Sequence, residues 1–160
     1  MSADPIVPVK VGVIGIGNMG WHHARVLSLL RDADLIGVAD PDPERGRMAT
    51  EQFGCRWFAD YREMLSEVEA VCIAVPTLLH HPVGLACLQA GLHVLIEKPI
   101  AASPAEATSL SNAAPPAHRL FRGGNTARCQ PASQDPLTRG PRNGARGWTG
   151  VRPGPPSTLA

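Results

Sequence analysis

The sequence predicts an α/β protein built on an open, doubly wound parallel sheet with helices on its faces. Three observations carry that expectation. Short apolar runs rich in Val and Ile recur at 9–15, 35–40, 70–75 and 92–96; helical signals fill the intervals between them; and the first run ends in a glycine loop, Gly15-Ile16-Gly17-Asn18-Met19-Gly20, that opens the first helix. Strands alternating with helices need crossover connections, which place successive strands parallel in one sheet.

The first run, VKVGVIG at 9–15, is β-branched and closed by glycine, as a buried strand would be. From 18 to 30 an apolar stripe of Met19, Val26, Leu29 and Leu30, with small Gly20 and Ala24 near its start, suits a helix lying on a sheet. Residues 35–40 form the second strand. Asp42 then serves as an N-cap with Pro43 at the first helical position, and Gly54 closes the helix they start. A brief strand at 55–58 and a short helix at 61–66 follow. AVCIAV at 70–75 is continuously apolar, as expected of a central parallel strand buried on both faces. A helix at 79–90 stops at Gly91, and a strand at 92–96 is closed by Glu97-Lys98-Pro99. Ser103-Pro104-Ala105-Glu106 has the N-cap, N1 proline and N3 glutamate of a capping box before one more helix.

After about residue 114 this alternation stops. The last 47 residues hold eight prolines, seven glycines, seven arginines and no lysine against the single acid Asp135, whereas residues 1–113 hold 8 Lys and Arg against 13 Asp and Glu. The overall charge of +1 therefore averages −5 and +6. Only Leu120, Phe121, Leu137, Val151 and Leu159 supply large aliphatic or Phe side chains there, too few to offset roughly 1–2 kcal/mol of backbone entropy per ordered residue. The expected organisation is one α/β domain at 1–121, its sheet incomplete and its edge exposed where a sixth strand should pair, and a disordered Arg/Pro/Gly-rich tail at 122–160. Out-of-frame reading of a GC-rich gene produces such a composition. A frameshift near Phe121 is thus preferred to a basic nucleic-acid-binding tail, which would carry lysines and more aromatics than Trp148.

A chain of 160 residues can bury a core without disulfides or a structural metal. Cys55, Cys72, Cys87 and Cys129 share no CxxC spacing, and the first three fall in apolar segments, so they read as small reduced core residues and no metal site is expected. The N-terminus has no signal-peptide pattern, and no stretch reaches the roughly 18 apolar residues of a membrane span. A cytoplasmic protein without membrane or nucleic-acid partners is expected.

A glycine-rich hexapeptide alone is a weak signal, and its position between strand and helix strengthens it. Gly15 permits the tight turn, Gly17 removes a side chain where a pyrophosphate must approach, and Gly20 lets helix and strand pack closely, as in a Rossmann-type site. The amides of Asn18, Met19 and Gly20 would hold the anion at the positive end of the helix. Asp40 ends the second strand twenty residues after Gly20, where a carboxylate accepts from the adenosine ribose hydroxyls. This favours NAD, with NADP as the alternative because Arg45 could reach a 2′-phosphate. Pro76, Thr77, His80 and His81 lie just past the carboxyl end of the third long apolar run, the edge where such sheets bind ligands. Thr77 can contact the cofactor, and one histidine can face the nicotinamide end or simply sit on a helix surface. Glu97 and Lys98 occupy the same edge, where a lysine can hydrogen-bond a substrate hydroxyl; on spacing alone an exposed ion pair is an equal reading.

The segments VGVIGIGNMGWHHARVL and AVPTLLHHPVGLACLQAGLHVLIEKPIA, with the strand ending at Asp40, together resemble the Gfo/Idh/MocA family of glucose-fructose oxidoreductase and inositol dehydrogenase relatives over roughly residues 10–113. The resemblance implies an NAD(P)-dependent oxidation or reduction at a hydroxyl-bearing carbon of a sugar, inositol or sugar nucleotide. It implies that Lys98 contacts the reacting hydroxyl, that Glu97 lies beside the nicotinamide ribose, and that Thr77 and His80 line the cofactor crevice. Members of the family continue into a second α/β domain that forms the substrate pocket and the subunit contact and supplies a further acid/base. That domain is missing from the tail, so a native-like oligomer is not expected and turnover is in doubt. The alternative function is a non-catalytic nucleotide-binding module or an inactive truncated fragment.

Overall fold

The computed structural model describes residues 7–114 and the backbone of 121–123. The expectations for Cys129, for the tail beyond 123 and for its origin lie outside the described residues. Strands β1 (Val9–Ile14), β2 (Ala33–Ala39), β3 (Arg56–Phe58), β4 (Ala70–Ile73), β5 (His93–Ile96) and β6 (Phe121–Gly123) form one sheet in the order β3-β2-β1-β4-β5-β6. Every neighbouring pair is parallel. Helices α1 (Asn18–Leu27), α2 (Pro43–Phe53), α3 (His80–Gln89) and α4 (Pro104–Ala113) lie in every connection except that between β3 and β4. The strand order reverses between β1 and β4, and that switch point opens a crevice at the carboxyl ends of the strands.

The sixth strand, expected to be lacking, is present over three residues, pairing Val94 with Phe121 through to Ile96 with Gly123. It gives the outer edge of β5 backbone partners. It also crosses the domain boundary drawn after residue 121.

Successive strand residues serve opposite faces, as the pleat requires. Ile14, Ala39, Val71, Ile73, Val94 and Ile96 join Val83, Cys87 and Leu88 of α3 and Leu110 of α4 in one core cluster. Val13, Val38 and Cys72 point the other way and meet Ala24 of α1 and Ala49 of α2 in a second. Cys55, Cys72 and Cys87 are buried and unbridged, as their apolar surroundings predict.

Local chemistry sets the helix ends. Asp42 caps α2 by accepting from the amides of Glu44 and Arg45, and Gly54 closes it. Ser103 accepts from the Glu106 amide at the start of α4, while the Glu106 carboxylate accepts from the amide of Ala102, one residue before the cap. The expected helix at 61–66 is a single 3-10 turn, Tyr61–Glu63, and a second, Thr77–Leu79, precedes α3.

The apolar stripe assigned to the first helix does not face the sheet. Met19, Val26, Leu29 and Leu30 are exposed, and α1 packs instead through buried Gly20 and Ala24. Half-buried Trp21 and Leu27 flank that contact, and Trp21 meets Phe53 of α2 with ring centroids 4.9 Å apart. The reason is proximity. A Cβ on Gly20 would lie 1.7 Å from the Gly15 carbonyl oxygen, so this face of the helix sits too close to the strand for large side chains.

Candidate dinucleotide site at the sheet switch point

The glycine loop is shaped by packing at two positions and by nothing in the protein at the third. Gly15 has φ of 88°, a conformation that disfavours a Cβ, and Gly20 is pressed against the Gly15 carbonyl. Gly17 differs. It has φ of −73°, and a Cβ built there meets nothing within 4 Å. The protein leaves a clear space in front of it, bordered by exposed Asn18 and Met19.

That space lies at the start of α1. The first helical bond runs from the Trp21 amide to the Gly17 carbonyl at 2.9 Å, so the amides of Asn18, Met19 and Gly20 have no partner within the helix. No side chain caps them, in contrast to α2 and α4. Free amides at the positive end of a helix attract an anion, and the absent side chain at Gly17 lets one approach.

Asp40 is buried rather than a solvated loop acid. Its Oδ2 accepts from the Ile16 amide at 2.7 Å and its Oδ1 from the Asp42 amide at 2.9 Å. The carboxylate thereby anchors the glycine loop to the end of β2. Each oxygen accepts one amide and keeps lone-pair capacity for a further donor such as a ribose hydroxyl. Arg45, on the first turn of α2, is exposed and held by Asp42, Nε to Oδ2 at 3.2 Å.

The second half of the edge follows β4 and β5. Pro76 and Thr77 begin the 3-10 turn after β4, with Thr77 half-buried. His80 is turned inward and 1% exposed, with Nδ1 2.7 Å from the Pro99 carbonyl and Nε2 2.8 Å from the Val75 carbonyl. It braces the loops after β4 and β5 and has no free nitrogen for a ligand, which departs from the expectation that it lines the crevice. His81 meets the Ser109 hydroxyl at 3.0 Å, bridging α3 and α4. Lys98 is exposed after β5, in front of a cis Lys98–Pro99 peptide. Among the described residues no ion pair engages its ammonium, so the exposed-ion-pair reading of Glu97 with Lys98 is not what forms. Glu97 pairs with His23 of α1, Nε2 to Oε1 at 2.6 Å.

His23 is the residue at this edge that sequence reasoning missed. Its partner is 74 positions away, and no spacing rule connects them. The Glu97 charge also reaches Cys72 on β4. Burial first, and that charge second, push the Cys72 thiol up to about 11.

Among the described residues no group of three His, Cys, Asp or Glu side chains could hold a metal ion, and no helix is long and apolar enough to cross a membrane. A shallow cleft between Leu65, Val68, Glu69, Gly91 and His93 lies at the amino ends of β4 and β5, the edge opposite all of the residues above.

A parallel sheet in this order, with a glycine loop between β1 and α1 and an acid closing β2, defines a dinucleotide-binding Rossmann domain. Comparison with known proteins narrows the class. The Gfo/Idh/MocA model, described as an oxidoreductase family with an NAD-binding Rossmann fold, matches residues 9–124, and the chain belongs to that family.

The chain is 36% identical over 129 residues to the UDP-N-acetylglucosamine 3-dehydrogenase of Acidithiobacillus ferrooxidans, covering 81% of this chain and 41% of that one. It is 34% identical over 133 residues to inositol 2-dehydrogenase 1 of Saccharopolyspora erythraea, covering 79% and 40%. Among solved structures, the Acidithiobacillus ferrooxidans enzyme aligns with a TM-score of 0.75 at 36% identity, covering 80% of this chain and 42% of its own. GenD2 from gentamicin A biosynthesis, in complex with NAD, gives 0.71 at 34% identity, covering 79% and 38%. A 3-ketoreductase from Actinomadura kijaniata, in complex with NADP and TDP-benzene, gives 0.64 at 31% identity, covering 68% and 34%. The chain spans about two-fifths of the length of these two curated dehydrogenases.

Proposed function

We propose that this chain binds NAD in preference to NADP and is the cofactor-binding half of an oxidoreductase acting at a hydroxyl-bearing carbon of a sugar, inositol or sugar nucleotide. The observation that carries the cofactor reading is the clear space at Gly17. Neither packing nor backbone conformation demands glycine there, so the missing side chain serves something outside the protein.

In this reading Gly15, Gly17, Asn18, Met19 and Gly20 hold the pyrophosphate through backbone amides. Asp40 accepts from the adenosine ribose, and its negative charge, with Asp42 beside it, disfavours a 2′-phosphate. Arg45 is already paired with Asp42, which reduces its use as a phosphate ligand. Pro76, Thr77 and Glu97 border the nicotinamide half, and Lys98 reaches the reacting hydroxyl. When bound, the nicotinamide supplies the two-electron acceptor or donor. Lys98 positions the substrate oxygen and takes or returns its proton. The dinucleotide unit is proposed to run through β6 to residue 123, and reduced Cys55, Cys72 and Cys87 fit a cytoplasmic setting.

The test exploits Gly17. Gly17→Val should leave stability within about 0.5 kcal/mol, since nothing opposes the added side chain, yet remove NADH binding read by cofactor fluorescence. Unchanged binding would refute the phosphate loop. The alternative reading is a module that binds nucleotide without turnover. A dehydrogenase screen over inositols and sugars separates the two: measurable turnover excludes the non-catalytic module.

A further inference from the structure

Lys98 is flanked on both sides by residues that distant histidines hold. Before it, Glu97 is gripped by His23 at 2.6 Å, with side chains 24% and 17% exposed. The other Glu97 oxygen accepts from the Lys98 amide at 3.2 Å. After it, the Pro99 carbonyl lies 2.7 Å from Nδ1 of buried His80. Glutamate has three rotatable side-chain bonds, and at the end of β5 it would otherwise sample them at the mouth of the crevice. A short, largely buried, charge-assisted hydrogen bond removes that freedom.

The origin of this bond matters as much as its length. His23 stands on α1, within one turn of the amides proposed to take the pyrophosphate. Glu97 stands at the other half of the edge. We infer that His23 is a positioning residue: through Glu97 it fixes the loop bearing Lys98 relative to the pyrophosphate-binding end of α1, so that the two halves of the dinucleotide site keep one spacing. This rests on the dinucleotide reading above. It adds that a residue of the phosphate-binding helix, touching neither phosphate nor substrate, sets the nicotinamide end.

The bland alternative is that the pair only staples α1 to the sheet. A staple would affect every ligand of α1 alike. A positioning role affects ligands that reach Glu97 and spares those that stop short of it. The full chain is therefore titrated with NADH and with ADP, which shares the adenosine and pyrophosphate but lacks the nicotinamide and its ribose.

His23→Ala should leave ADP affinity within about twofold and weaken NADH by about three- to tenfold. His23→Gln, whose amide can donate at about the place of Nε2, should restore most of the loss. His23→Ala combined with Glu97→Ala should lose little beyond Glu97→Ala alone, because the two residues act as one unit. In amide NMR spectra of the ligand-free chain, His23→Ala should move the Lys98 resonance and leave that of Gly17 in place. Equal weakening of both ligands, or of neither, would overturn the inference while leaving dinucleotide binding intact. Failure of the unsubstituted chain to bind either ligand would overturn the dinucleotide reading, and the positioning role with it.

Discussion

The two halves of the carboxyl edge are built by different means. Around β1 and β2 the site is mostly backbone: glycines that fit a tight turn, helix amides without partners, and one buried carboxylate anchoring the loop. Around β4 and β5 it is mostly side chains set by distant partners, His23 on Glu97 and His80 between Val75 and Pro99. Substitutions in the first half should therefore damage fold and binding together, except at Gly17, where nothing in the protein opposes a side chain. In the second half they should separate the two.

The strongest test of this contrast is Gly20→Ala. The new Cβ would sit 1.7 Å from the Gly15 carbonyl oxygen, a backbone atom that cannot move without displacing β1 or α1. Loss of about 3 kcal/mol or more is expected in urea denaturation, a large share of the roughly 5–15 kcal/mol that holds a domain folded. A stable Gly20→Ala chain would show that the helix can slide, and the backbone-built half would be softer than its geometry implies.

Asp40→Ala comes next. Truncation leaves the buried Ile16 amide and the half-buried Asp42 amide without their acceptors, which should cost about 1–3 kcal/mol by the same measurement. Cofactor binding should fall with stability, because the glycine loop loses its anchor. Asp40→Asn keeps one acceptor oxygen and should retain part of both. Unchanged stability in Asp40→Ala would mean that the carboxylate serves only a ligand.

The contrast also explains what could be read from sequence. Val-rich runs, the Asp42 and Ser103 caps and the Gly15–Gly20 spacing act within a few residues of each other, so their consequences are visible locally. The same holds for Asp40, whose place at the end of β2 follows from the strand before it. Orientation was harder. The exposed Met19, Val26, Leu29 and Leu30 look like a helix's buried face until the closeness of Gly20 to Gly15 shows that only small residues fit beneath. His80 lies at the expected edge, and no local pattern reveals that two carbonyls from separate loops converge on its ring. The partnership of His23 with Glu97 has no local signature at all.

Buried thiols give a milder probe of the second half. Burial raises Cys87 to about 12, and burial together with the Glu97 charge raises Cys72 to about 11, from an ordinary 9.0. These acids are neutral when protonated, so the folded chain holds its protons more tightly than the unfolded one. Stability is fully present below about pH 9 and falls as pH rises toward 11–12, where the unfolded chain ionises first. Both thiols should resist an aromatic disulfide reagent at pH 8 until denaturant is added. Glu97→Gln should lower the Cys72 value slightly and leave Cys87 unchanged. Rapid labelling of Cys72 in the native chain would show that the crevice opens behind Glu97.

The smallest effect on stability is expected at Lys98, and it bears directly on how the second half works. Lys98 is exposed, and no described acidic side chain pairs with it. Lys98→Met preserves the aliphatic stem and removes the charge, so urea denaturation should register a change within about 0.5 kcal/mol. If Lys98 acts on the substrate oxygen, any turnover measured with the unsubstituted chain should disappear, while ADP affinity stays the same. The sharpest reversal would be a large loss of stability. It would make Lys98 a structural cation rather than the group that moves the reacting proton, and His80 and His23 would not replace it, being held by two carbonyls and by Glu97.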